Sequence, residues 1–131
     1  MAEHALAVLD TSVVIDPPDS YVPFADAVCV TAVTIGELAF GLHVQDPLVA
    51  SRRERVYRET LEDYDPVPFD AAIAHEYGAI AAAIRRHGRN PRPRMADLMI
   101  AATARQLGAV VLTRNPDDFA GLDGIVTVVG I

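Results

Sequence analysis

The 131-residue chain contains no lysine and no tryptophan, and it has a single cysteine. Cys29, in "AVCVTA", cannot form an internal disulfide and reads as a small core residue. No window approaches the ~18 apolar residues that a membrane span needs. The longest helical run, residues 70–88, is amphipathic and charged at its end. The opening "MAEHALAV" carries an acid and no basic region, so no signal peptide is expected and a cytoplasmic protein is. The four histidines (His4, His43, His75 and His87) are dispersed, with no pair at ligand spacing, which argues against a zinc site. Internal repeats and low-complexity tracts are also lacking.

The missing lysine sharpens the reading of charge. Net charge is -7, and every one of the 11 basic residues is an arginine. Arg52, Arg53, Arg55 and Arg58 fall in "SRRERVYR", which reads as a solvated helix face. Arg85, Arg86, Arg89, Arg92 and Arg94 fall in "IRRHGRNPRPR", broken by Gly88, Pro91 and Pro93. That pattern is an extended basic loop suited to phosphate, because a guanidinium makes bidentate contacts with phosphate oxygens.

What is present in quantity is apolar: 51% of the residues, enough for one compact domain over residues 1–131 burying roughly two thirds of its unfolded surface. The runs alternate in type. Strands are expected at 5–9, 28–32, 67–69, 109–113 and 125–129. Between them lie a short helix or turn at "TSVVID" and helices at 34–44, 47–63, 70–88 and 94–108. Strands of nearly continuous Val, Leu and Ile, separated by helices, indicate an α/β fold with a parallel sheet covered on both faces.

In such a fold, ligands bind outside the carboxyl ends of the strands. Asp10 ends the first strand, and burying it alone costs more than a small domain can absorb, so it must be solvated, paired or bound to a cation. Glu37, Asp97, Asp117 and Asp118 follow later strands at the same edge. Each has a plainer explanation. "TIGE", residues 34–37, fits a capping box. Asp97 suits the first turn of a helix, although it shares a face with Ile100, Ala101, Ala104 and Gly108 and so turns toward the core. Asp117 and Asp118 are ordinary turn residues. Gathered together, these acids would repel one another unless a cation intervened. An all-oxygen donor set without Cys or His selects a hard ion, Mg²⁺ or Mn²⁺.

In this order and spacing, "VLDTSVVID", "TAVTIGELAFG" and "MADLMIAATARQLGAVVLTRNPDDF" resemble a PIN domain, specifically the VapC-type ribonuclease toxins of bacterial type II (VapBC) toxin-antitoxin pairs. The resemblance implies a five-stranded parallel sheet of order 3-2-1-4-5 with helices on both faces. It also implies Mg²⁺-dependent cleavage of RNA (tRNA or ribosomal RNA), a homodimer, and a VapB-type antitoxin that joins it in a higher assembly. By position, Asp10, Glu37 and Asp97 match the family's first three acids. Thr11 and Ser12 match its hydroxyl position after the first acid and Thr113 the hydroxyl that ends the fourth strand. Where many members carry Asp directly after "TR", this chain has Asn115, so Asp117 is the expected fourth acid, with Asp118 behind it.

On this reading Asp10 and Asp97 ligate metal directly, Glu37 ligates metal or orients the attacking water, and Asp117 serves a second site or acts through water. Ser12 and Thr113 orient carboxylates. Arg86, Arg89, Arg92 and Arg94 are the expected RNA contacts. A disordered antitoxin tail that folds onto the groove beside the helix 34–44 is expected to place an arginine among Asp10, Glu37 and Asp97, displacing metal and satisfying two carboxylates through its planar fork. A phosphoacceptor receiver domain shares the sheet and an acidic pocket, but it requires a lysine this chain lacks. A PIN fold that binds RNA or a partner without cutting is the remaining alternative.

Overall fold

The computed structural model describes residues 2–131; Met1 lies outside them. Four parallel strands form the sheet: β1 (His4–Leu9), β2 (Ala25–Cys29), β3 (Val110–Thr113) and β4 (Val128–Gly130), in the order β2-β1-β3-β4. Five helices connect them: α1 (Thr11–Ile15), α2 (Ala32–Phe40), α3 (Pro47–Asp63), α4 (Ala71–Arg86) and α5 (Met95–Leu107). Short 3₁₀ turns occupy Arg92–Arg94 and Pro116–Phe119.

The expected fifth strand, at 67–69, is reduced to one residue. Val67 makes a parallel bridge to Thr31, its N–H donating to the Val30 carbonyl and its carbonyl accepting from Ala32 N, both at 2.9 Å. Pro66 and Pro68 flank it and have no N–H to donate, so the ladder cannot lengthen. Its place beside β2 is nonetheless that of the third strand in the order 3-2-1-4-5. The second strand lies three residues earlier than expected, because Val30 and Thr31 leave the β1 pairing. Thr31 instead caps α2 by accepting from Thr34 N at 3.2 Å.

Alternation along the strands divides the core. Val8 and Val111 face one way, onto Ile73, Ile80 and Ile84 of α4 and the alanine-rich side of α5. Ala7, Leu9, Val110 and Leu112 face the other way, with Val13 of α1. Burial on both faces explains why the central stretches of β1 and β3, residues 5–9 and 110–112, are wholly apolar. Local signals set the helix ends: Asp46 and Asp70 accept from backbone N–H groups of α3 and α4, and Gly108 closes α5 in the left-handed region at φ 65°. Among the described residues no helix is long and apolar enough to cross a membrane.

Candidate active site

Asp10 follows β1 directly and caps α1, and it is only 4% exposed. Its carboxylate is met by three donors. Thr11 N donates to Oδ1 at 2.9 Å, while Ser12 Oγ and Thr113 Oγ1 donate to Oδ2 at 2.8 and 2.7 Å. A hydroxyl has one proton, and each of these gives its proton to Asp10 while its oxygen accepts a backbone N–H, Ser12 Oγ from Arg114 N at 3.1 Å and Thr113 Oγ1 from Asn115 N at 2.9 Å. The loop after β3 thereby fixes the rotors that fix Asp10. A carboxylate at the end of a buried strand is tolerated because the fold supplies its hydrogen bonds.

Glu37 lies in the second turn of α2, since the helix begins at Ala32 rather than 34. The capping-box reading of "TIGE" therefore does not hold: Thr31 is the cap and Thr34 lies inside the helix. The Glu37 carboxylate turns to α1 instead, where Thr11 Oγ1 donates to its Oε1 at 2.6 Å. With that proton spent, the 3.0 Å contact between Thr11 Oγ1 and the buried Thr34 Oγ1 is donated by Thr34. This Thr34–Thr11–Glu37 chain joins α2 to α1. Its only trace in the sequence is the hydroxyl pair of "DTS", of which Ser12 is the more conspicuous member.

Asp97 stands in the first turn of α5, partly buried, and its carboxyl is pushed up to about 6. Burial is the main cause, followed by the negative charges of Asp10, Asp118 and Glu37, with Arg94 opposing. Acids from the end of β1, from α2 and from the turn after β3 are therefore close enough to act on Asp97 of α5. Both Asp117 and Asp118 lie in the Pro116–Phe119 turn, but Asp118 is the one whose charge acts on Asp97. Arg94 ties that turn to α5, its Nε and Nη2 donating to the Asp118 carbonyl at 3.1 and 2.7 Å.

The donor chemistry of this cluster, carboxylates with hydroxyls behind them, fits a hard divalent cation. Among the described residues no three His, Cys, Asp or Glu side chains stand close enough to enclose an ion as they are, so the acids are gathered without being closed up. Of the basic loop, Arg94 borders the acids. Arg89 packs against Gly121, which sits at φ 89°. Arg92 is exposed in its 3₁₀ turn, while Arg85 and Arg86 line a cavity with Ala81, Ala82 and Pro91 that none of the acids reaches.

Residues 7–125 match the PIN domain family. The chain is 32% identical over 99 residues to the tRNA(fMet)-specific endonuclease VapC of Shigella flexneri, covering 76% of this chain and 72% of that protein. To Ribonuclease VapC4 of Mycobacterium tuberculosis it is 30% identical over 129 residues, covering 93% and 95%. It superposes on a crystal structure of a member of the VapBC family of toxin-antitoxin systems, VapBC-5 from Mycobacterium tuberculosis. The TM-score is 0.81 at 34% identity, covering 97% of this chain and 98% of that one.

Proposed function

The chain belongs to the PIN domain family, and from that premise we propose that it is a VapC-type toxin, a Mg²⁺-dependent endoribonuclease held in check by a VapB-type antitoxin. The observation that carries the reading is Asp97, raised to about 6 at the sheet edge by burial and by three other acids. Such a cluster is electrostatically costly to the empty fold and becomes favourable once a cation is shared.

Asp10 and Asp97 would hold Mg²⁺, or Mn²⁺ in its place, with Glu37 and Asp118 completing the oxygen set; Asp118 is preferred to Asp117 because its charge reaches Asp97. When bound, the ion supplies Lewis acidity toward the scissile phosphate. Ser12 and Thr113 occupy Asp10 Oδ2, which leaves Oδ1, engaged by Thr11 N alone, as the freer oxygen. Glu37 is exposed and aimed by Thr11, a placement suited to holding a proton of the attacking water. Arg94 adds a cation beside the site where a flanking phosphate would lie. The exposed Val22, Phe40 and Leu48 support burial against other chains, as a homodimer and with the antitoxin. Action on RNA is work for the cytoplasm.

The test is incubation of the purified protein with total RNA in Mg²⁺, in Mn²⁺ and in EDTA, alongside Asp10→Asn and Asp97→Asn. Cleavage at discrete positions that needs metal and both acids is expected. Mapping the new ends identifies the RNA, because the cut is set by loop shape and unstacked bases. Binding without metal-dependent cutting would replace the enzyme reading with that of an RNA-binding module.

A further inference from the structure

Asp117 and Asp118 are exposed neighbours in one turn, so something outside the pair must decide which of them meets Asp97. The turn is fastened at both ends. Pro116 packs on Gly130 of β4, where a Cβ would come within 3.2 Å of its Cγ, and Phe119 is buried in the core with Ile84 and Leu98. Between these anchors Asp118 N donates to the Asn115 carbonyl at 3.0 Å, and Ala120 N to the Asp117 carbonyl at 3.1 Å. Among the described residues no backbone N–H donates to the Asp118 carbonyl. Its partner is Arg94, whose Nε and Nη2 converge on it at 3.1 and 2.7 Å. Arg94 breaks a local rule to do this. It stands at the N-cap of α5, where Ser, Thr, Asp or Asn would accept from the first N–H groups, and its own side chain can accept nothing. A cation there also opposes the helix dipole. Both costs are local, and the charge-assisted contact with a turn distant in sequence offsets them.

Resting on the metal-dependent nuclease reading, we infer that Arg94 is a positioning residue for the fourth acid: by clamping the Asp118 carbonyl to the start of α5, it turns the side chain of Asp118, and not that of Asp117, toward Asp97. The charges agree, since Asp118 acts on Asp97 and Asp117 does not. The guanidinium needs no contact with metal or RNA to do this. Its charge in fact works against a cation in the cluster, because it opposes the acids at Asp97. Charge and position therefore predict opposite signs when Arg94 is removed. Loss of a nearby positive charge alone should tighten binding of a divalent ion, whereas loss of the clamp should loosen it.

The test measures Mn²⁺ affinity from the EPR signal of the free ion, with no RNA present, and melting in EDTA checks that each variant is folded. Arg94→Ala, and Arg94→Met, which keeps the packing of the stem without its donors, should each weaken binding about tenfold, the scale of a lost partner behind a metal ligand. Arg94→Lys keeps reach, charge and a donor for the carbonyl, and should recover most of the affinity. In an Asp118→Ala background the clamp has nothing to aim, so adding Arg94→Ala should weaken binding no further. With RNA, Arg94→Ala should lose turnover at limiting Mg²⁺ and regain most of it at high Mg²⁺. Binding that is unchanged or tighter in Arg94→Ala and Arg94→Met would overturn the clamp, as would an equal loss in the Asp118→Ala background. A raised KM for RNA with metal affinity intact would also overturn it and leave Arg94 as a phosphate contact alone. A parent that binds Mn²⁺, and loses affinity with Arg94→Ala, yet cuts no RNA would overturn the nuclease reading and leave the clamp standing.

Discussion

Replacing Asp97 with asparagine separates the electrostatic cost of the acid cluster from its use. Among the described residues no hydrogen bond reaches the Asp97 carboxylate, so the substitution removes a charge and little else. A carboxyl that titrates higher in the folded than in the unfolded chain stabilises the fold while protonated. That contribution is present below about 4, the unfolded value, and is lost as pH rises to about 6. At ~1.36 kcal/mol per unit the full shift corresponds to about 3 kcal/mol, and screening at a partly solvated side chain reduces this to about 1 kcal/mol. Asparagine mimics the protonated form at every pH. In EDTA the variant should therefore match the parent near pH 4 and exceed it by about 1 kcal/mol at pH 7.5, or about 3–4 °C in Tm for a chain of this size. It should have no nuclease activity at either pH. Mg²⁺ at about 100 times its Kd should stabilise the parent by about 2.7 kcal/mol and the variant by less. Urea or thermal melts at several pH values, with and without metal, measure all of this. An advantage that does not vary with pH would refute the electrostatic argument, and equal Mg²⁺ shifts would refute Asp97 as a ligand.

Thr113→Val keeps the shape of a fully buried side chain but strips a donor from Asp10 and leaves Asn115 N without its acceptor; a loss of about 1–3 kcal/mol in urea unfolding and a large fall in kcat are expected. Thr11→Val should release Glu37, lowering kcat at least tenfold, with a loss of about 1–3 kcal/mol because the buried Thr34 hydroxyl loses its acceptor, and Thr11→Ser should recover most of both; equal loss of rate in both variants would show that the hydroxyl does not position Glu37. Asp118→Ala should reduce turnover at limiting Mg²⁺ more than Asp117→Ala does, and the reverse ranking would return the fourth role to Asp117.

Legibility varies with how locally each feature is determined. The bounds of α3 are legible at 47–63, because Asp46 and Pro47 mark its start chemically. The second strand is misplaced by its sequence because an apolar run carries no phase, and Thr31 at its end is a helix cap. That shift also moves Glu37 from a capping position to the second turn. Asp10 is conspicuous because no strand tolerates such a residue without partners, whereas those partners, 2 and 103 residues away, are visible only as isolated hydroxyls. The choice between Asp117 and Asp118 depends on how a four-residue 3₁₀ turn is aimed, and adjacent identical residues encode nothing about that.

The acids are divided two and two along the chain, with Asp10 and Glu37 before the exposed segment Arg85–Asn90 and Asp97 and Asp118 after it. The sheet crosses that division, since β1 pairs with β3. A single backbone break in the segment would leave each fragment with two of the four acids and one of the two central strands. Rejoining the strands would restore both the core and the cluster in one event. The β1–β3 pairing is therefore what assembles the cluster, bringing acids from the two halves of the chain to one edge of the sheet.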